Sequence, residues 1–201
     1  MTEEIIERAQ RAKTKKALLG EDVDLGEYTT NAKEHEPIKS LDEFPAVYRH
    51  DLLEAGIEPF EKERSGSFLQ RDRSVVFSRP KYKGLEVMST TDALKKYDLT
   101  DYLWKAVPVD ADKYTAEVEL APSHGYFVRS KAGSRVAMPV QACLFLTLDK
   151  IRQNVHNIII AEENSELHII TGCSASHEVN SALHIGISEF YVKRGAKITF
   201  T

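Results

Sequence analysis

The sequence predicts a mainly β protein: the first coils of a right-handed parallel β-helix, preceded by a small helical and mixed α+β region. The main observation is an internal repeat. Three segments align without gaps at a 31-residue offset: YFVRSKAGSRVAM from Tyr126, NIIIAEENSELHI from Asn157 and SEFYVKRGAKITF from Ser188. A period in the range of 20 to 50 residues marks stacked supersecondary units. The second observation is a change of composition after Lys113, where Val, Ile, Leu, Phe and Tyr dominate between turns of Gly, Asn and Ser. Strand-rich units with polar corners fit a β-coil better than a helical solenoid.

Within each repeat an apolar strand leads to a charged pair, a turn residue, a small residue, a charge and a second apolar strand. The turn residues are Gly133, Asn164 and Gly195, types that tolerate the positive φ of a tight corner. The small residues are Ser134, Ser165 and Ala196, and the next strands begin their apolar faces at Val136, Leu167 and Ile198. Stacking would place equivalent residues about 4.8 Å apart. Cys173 then stacks on Ala142 and Ser174 on Cys143, so the two thiols face opposite sides unless a bulge intervenes. The competing reading is a run of antiparallel hairpins with coincidental spacing. The third repeat reaches Thr201 in mid-strand, which suggests a fragment of a longer protein with an exposed edge.

The expected division is an N-terminal region over 1–110 and a β-rich core over 111–201. Residues 2–19 read as a helix, with Thr2 as cap, acids in the first turn, and Lys13, Lys15 and Lys16 before Gly20. Residues 21–39 read as a linker or extended arm. Ser40 and Glu43 resemble a capping box ahead of a short helix through Leu52, Leu53 and Ala55, with Pro45 in its first turn or in a break before it. SFLQRDRSVVF from Ser67 predicts a strand, and 90–102 a short helix capped by Thr90 or Thr91.

Composition excludes several function classes. Apolar residues make up 42% and charged residues 29%, a globular balance, and the net charge of -4 argues against a broadly basic nucleic-acid surface. No segment has the roughly 20 apolar residues of a membrane span. Glu3, Glu4 and Glu7 exclude a secretory signal at the start of the chain. Two cysteines make no disulfide framework and point to a reducing cytoplasm. There is no GxxxxGK[ST] phosphate loop, no GxGxxG and no GxSxG elbow, so neither nucleotide chemistry nor an esterase triad is expected.

The remaining chemistry lies in His156, His168, Cys173, His177, His184 and Glu189. His and Cys ligate iron or zinc, and a thiolate carries transferred sulfur. Taken singly, each has an ordinary explanation: His168 on an outward face, His177 in a solvated loop, Cys143 as a small core side chain. Cys173, at a strand end in TGCSAS, is the stronger candidate.

These residues sit in a pattern that resembles the SufB/SufD family. PVQAC, QNVHNIIIAEENSELHIITGCSAS and ALHIGISEFYVKRGAKITFT follow the family's P-L-Q-A, Q-F-E-H, G-C-[ST]-A and L-H…E elements in order. Pro139, Gln141, Ala142, Gln153, His156, Gly172, Cys173, Ser174, Ala175, Leu183, His184 and Glu189 carry the match, which is strong over 114–201. Phe145 and Thr147 replace the family's Arg and Asn, and Thr171 replaces its Glu before Gly-Cys. This points to a divergent member.

The resemblance implies an iron–sulfur cluster assembly scaffold rather than an enzyme. It implies work with a SufC-type ABC ATPase, a SufB/SufD-type partner or self-dimer, a sulfur donor and recipient apo-proteins. The cluster would be assembled transiently, with no cofactor stably held by this chain. Cys173 becomes the candidate sulfur-carrying thiolate, and His184 and Glu189 candidate metal neighbours. Two alternatives stand beside it: a cupin-like metal enzyme using His156, His168 and His184 in a closed antiparallel barrel, and a β-helical interaction module without redox chemistry.

Overall fold

Two sheets share one apolar core, and the N-terminal half covers the outer face of each. The computed structural model describes residues 3–201. The strands are β1 (Gly66–Arg71), β2 (Ser74–Pro80), β3 (Leu85–Ser89), β4 (Tyr126–Ser130), β5 (Val140–Leu146), β6 (Arg152–Ala161), β7 (Glu166–Ala175), β8 (Leu183–Val192) and β9 (Lys197–Phe200). One sheet has the order β2-β1-β5-β7-β9 and the other β3-β4-β6-β8. The α-helices are α1 (Glu3–Ala12), α2 (Arg49–Glu54), α3 (Thr90–Lys96) and α4 (Lys113–Leu120).

The fold class therefore differs from the expected right-handed parallel β-helix. The protein is mixed α/β, with few helices and two sheets of both parallel and antiparallel strands. β1 pairs antiparallel with β2 and parallel with β5, while β3 pairs antiparallel with β4. The segment SFLQRDRSVVF, expected as one strand, forms two. Asp72, at φ 50°, makes the tight turn that splits it.

The 31-residue repeat survives as strand register. β4 and β6 pair Phe127 with Ile158, β6 and β8 pair Ile158 with Glu189, and β7 and β9 pair Leu167 with Ile198. The corners stack as well: Gly133 N–H donates to Glu163 O at 2.9 Å and Asn164 N–H to Arg194 O at 3.0 Å. Gly133, Asn164 and Gly195 have φ of 69°, 56° and 69°, the left-handed conformation expected of them. Antiparallel hairpins with accidental spacing would not produce this parallel register.

One interval departs from the repeat. Arg135 lies opposite Glu166, but Val140 lies opposite Ile169, so the earlier strand carries two extra residues there. Ala137 and Met138 are exposed in that bend and Pro139, which has no N–H for the ladder, closes it. Cys173 consequently pairs with Leu144 instead of Ala142, and Gly172 with Cys143. A two-residue shift preserves the alternation of faces, so the thiols still point to opposite sides.

The core has three parts. Between the sheets lie Phe68, Tyr126, Val128, Val140, Ala142, Leu144, Val155, Ile159, Leu167 and Ile169. Outside the first sheet, Leu41, Phe44, Leu52 and Ile57 cover Leu69, Phe77, Cys143 and Phe145. Outside the second, Ala9, Ala12, Leu103, Trp104, Val109, Ala116 and Val118 cover Phe127, Ile158, Ile160 and Ile185.

The helical elements are shorter than the sequence suggested. α1 ends at Ala12, with Lys13, Lys15 and Lys16 beyond it, and the Thr2 cap lies outside the described residues. Ser40 makes no side-chain cap; two 3-10 turns, Leu41–Glu43 and Ala46–Tyr48, flank Pro45 and lead into α2. α3 is capped by Ser89, whose hydroxyl accepts from the Asp92 N–H, and not by Thr90 or Thr91. α4 falls where strand character was expected; Asp112 and Thr115 form a reciprocal capping box at its start. No described helix is long and apolar enough to cross a membrane.

Candidate functional site

Alternation along β7 and β8 decides which polar residues meet. On β7, Leu167 and Ile169 point between the sheets, so Thr171 and Cys173 do too. On β8, Leu183, Ile185, Ile187 and Tyr191 face the helices. His184, Gly186 and Ser188 therefore face inward, and Glu189 faces outward. Cys173 Sγ and His184 Nε2 meet across the gap between the sheets at 3.5 Å. Glu189 lies on the opposite face of its strand, so His184 and Glu189 do not form one ligand set. Among the described residues no three His, Cys, Asp or Glu side chains converge as a metal would require.

The thiol lies in a shallow cleft of about 210 Å³ bounded by Leu144, Leu146, Ser174, Ala175, Ala182 and His184. Cys173 is the exposed cysteine and Cys143 the buried one. Desolvation by partial burial raises the Cys173 thiol above its ordinary value. The same burial lowers the His184 imidazole to about 4. At neutral pH the pair is therefore a neutral thiol facing a neutral imidazole, with the proton on sulfur.

The other ring nitrogen is held from behind. Gln153 is the register partner of His184, and its Oε1 lies 2.9 Å from His184 Nδ1. Gln153 is fully buried, and its amide N–H donates to the Asp72 carbonyl. The Asp72 carboxylate accepts from the Thr147 N–H at 2.7 Å and hydroxyl at 2.6 Å, and pairs with His35 Nε2 at 2.8 Å. Thr147, where the family pattern has Asn, thus anchors this turn. Phe145, in place of Arg, is buried against Phe44 and Tyr48, with ring centroids 5.7 and 5.5 Å away.

Glu189 serves another purpose. Fully buried, it accepts the backbone N–H groups of Trp104 (2.8 Å), Ala106 (2.6 Å) and Val107 (3.1 Å), the Tyr191 hydroxyl (3.0 Å), and lies 2.7 Å from His156 Nε2. Burial disfavours its charge, but the bonds and charge of His156 and the backbone donors outweigh that and hold its pKa below the ordinary carboxylate value. It ties the turn at Trp104, whose φ is 56°, to β8.

The remaining histidines are dispersed. His168 faces away from the core and lies 3.3 Å from the Thr201 hydroxyl, and His177 lies 3.4 Å from Asp51. His156, His168 and His184 point to three different surfaces of two open sheets, which does not match a closed antiparallel metal barrel. Nothing in the sequence marks Gln153 and Asp72 as the chain that supports the thiol–imidazole pair. Gln153 was visible as a motif residue, but Asp72 sits 81 positions away, beyond any local pattern.

Comparison with known proteins agrees with this pattern. Residues 145–201 match the family model "SUF system FeS cluster assembly, SufBD core domain". An iron-sulfur cluster assembly SufBD family protein of Methanothermobacter thermautotrophicus (strain Delta H) is 48% identical over 207 residues, covering 100% of this chain and 50% of the relative. One from Archaeoglobus fulgidus is 46% identical over 156 residues, covering 77% of this chain and 42% of the relative. The iron-sulfur cluster assembly protein SufB of Bacillus subtilis is 26% identical over 170 residues, 81% of this chain and 37% of that protein. The chain spans about half the length of the first two relatives or less. The relative of 48% identity that aligns with the whole of this chain, together with the core-domain match over residues 145–201, shows the family: the chain belongs to the SufBD family.

Proposed function

We propose that this chain is part of a scaffold for iron–sulfur cluster assembly, and that Cys173 is the thiol that receives sulfur. The observation that carries this reading is the position of Cys173. It is the exposed cysteine, on an inward-facing strand position, with a histidine nitrogen 3.5 Å from its sulfur. A thiol so placed has an acceptor for its proton and an open side for a donor. The names of the relatives support the biological setting.

In this reading the protein turns over no substrate of its own. ATP hydrolysis belongs to a SufC-type ATPase partner, and a second SufB/SufD-type chain or a second copy completes the assembly in the cytoplasm. The cluster is cargo passed to apo-proteins. Glu189 has a structural role, and His184 acts on the thiol rather than as half of a His184/Glu189 metal pair.

Cluster reconstitution with the full-length protein, a SufC-type ATPase and a persulfide donor tests this. Cys173→Ala is expected to reduce cluster formation to background, while Cys143→Ala, a change in the outer apolar core, retains it. Undiminished assembly by a folded Cys173→Ala protein would remove the thiol from the function.

A further inference from the structure

The groups behind His184 determine which of its nitrogens faces Cys173. The Gln153 amide has one orientation that satisfies both of its neighbours. Its N–H must point to the Asp72 carbonyl, because a carbonyl cannot donate. Its Oε1 then faces His184 Nδ1 at 2.9 Å, and that nitrogen must carry the proton. His184 Nε2 is left with a free lone pair, directed at the Cys173 sulfur 3.5 Å away. Gly186, the next inward residue on β8, leaves space for the ring: a Cβ there would lie 2.8 Å from His184 Nε2.

We infer that Gln153 is a positioning residue which, anchored on Asp72, fixes His184 as the acceptor of the Cys173 thiol proton during sulfur transfer. This rests on the proposal that Cys173 receives sulfur. The step balances without an external oxidant. The Cys173 S–H proton moves to His184 Nε2 as the sulfur forms a bond to the terminal sulfur of an incoming persulfide. The donor's S–S bond breaks, and the departing thiolate takes the proton back from Nε2. The products are a Cys173 persulfide and the donor's free thiol.

The surroundings add no competing charge to the pair. Apart from His184, Tyr126 on β4 and Cys143 on β5 are titratable groups that feel the thiol, and burial raises the pKa of both. Asp72 turns its carboxylate to Thr147 and His35. Asp112, at the head of α4 near His184, is engaged with backbone N–H groups of that helix.

The rate of Cys173 alkylation by iodoacetamide, followed against pH in this 201-residue chain, tests the relay without requiring sulfur or cluster. Gln153→Glu places a carboxylate on Nδ1–H and favours the imidazolium–thiolate pair. It is expected to raise alkylation near pH 7 about tenfold and move the inflection down by roughly one pH unit. In a His184→Asn background the same change is expected to have no effect. An unshifted profile, or a shift that persists without His184, overturns the inference. Should Gln153→Glu fail to fold, nitrogen–proton NMR of the wild-type imidazole decides: a proton on Nδ1 supports the relay and a proton on Nε2 overturns it. These outcomes are separate from cluster formation, so the relay and the sulfur-receiving role can fail independently.

Discussion

Glu189→Ala is expected to destabilise the protein by about 3–5 kcal/mol, the range observed when one partner of a buried, hydrogen-bonded charge pair is removed. The variant would leave the backbone donors of Trp104, Ala106 and Val107, the Tyr191 hydroxyl and the His156 ring without their shared acceptor. Urea unfolding measures the loss directly, and a change under 1 kcal/mol would mean that the 104–107 turn is held by apolar packing instead. The sign of the pH dependence is also determined. Because the folded pKa of Glu189 lies below its unfolded value, the stability it adds is complete above roughly pH 4.3 and disappears as pH falls through the folded value. Glu189→Gln should flatten that acid limb.

Gly125→Ala should be comparably damaging. Gly125 has φ 99°, a conformation that L-residues avoid, and an added Cβ would lie 2.4 Å from the His156 carbonyl oxygen and 2.8 Å from its carbon. Backbone cannot yield as a flexible side chain can. The residue also donates to Gln70 Oε1 at 3.0 Å and accepts from the Thr90 N–H at 3.0 Å, so displacement breaks the join between α3 and the start of β4. Strain and overpacking together suggest a loss of order 3 kcal/mol or more. Thermal unfolding close to that of the parent protein would contradict this account of how β4 meets β6.

How much of this was legible in the sequence follows from the range of each interaction. The repeat could be read because its period is local and recurs; Gly133, Asn164 and Gly195 share one turn conformation and became stacked corners. The fold class could not be read correctly from the same signal. The antiparallel pairs depend on β1, β2 and β3, which lie outside the repeat, and LEVMS in β3 is short and borders a helix, which hides it in the sequence. α4 is hidden in the sequence because its Asp112 cap sits where apolar residues begin to dominate, so composition outweighs the cap.

The candidate site was legible in part. Cys173 and His184 were both selected from sequence, and the structure brings them together. Glu189 was grouped with His184 as a ligand, yet five positions apart on a strand means opposite faces, an argument that the strand assignment alone would have supplied. The two-residue bend before Pro139 moved Cys173 onto Leu144; no period can reveal a bulge within one of its own intervals. Family membership came from ordered short motifs, which tolerate the changes at Phe145 and Thr147 because those positions were rebuilt as a core ring and as an anchor for Asp72.

The most direct test of the sulfur-receiving role is to expose the full-length protein to a persulfide donor, trap the product by alkylation and analyse the cysteine peptides by mass spectrometry. The account predicts one additional sulfur atom on the peptide containing Cys173 and none on that containing Cys143. Sulfur found on Cys143 while Cys173 stays unmodified would contradict it.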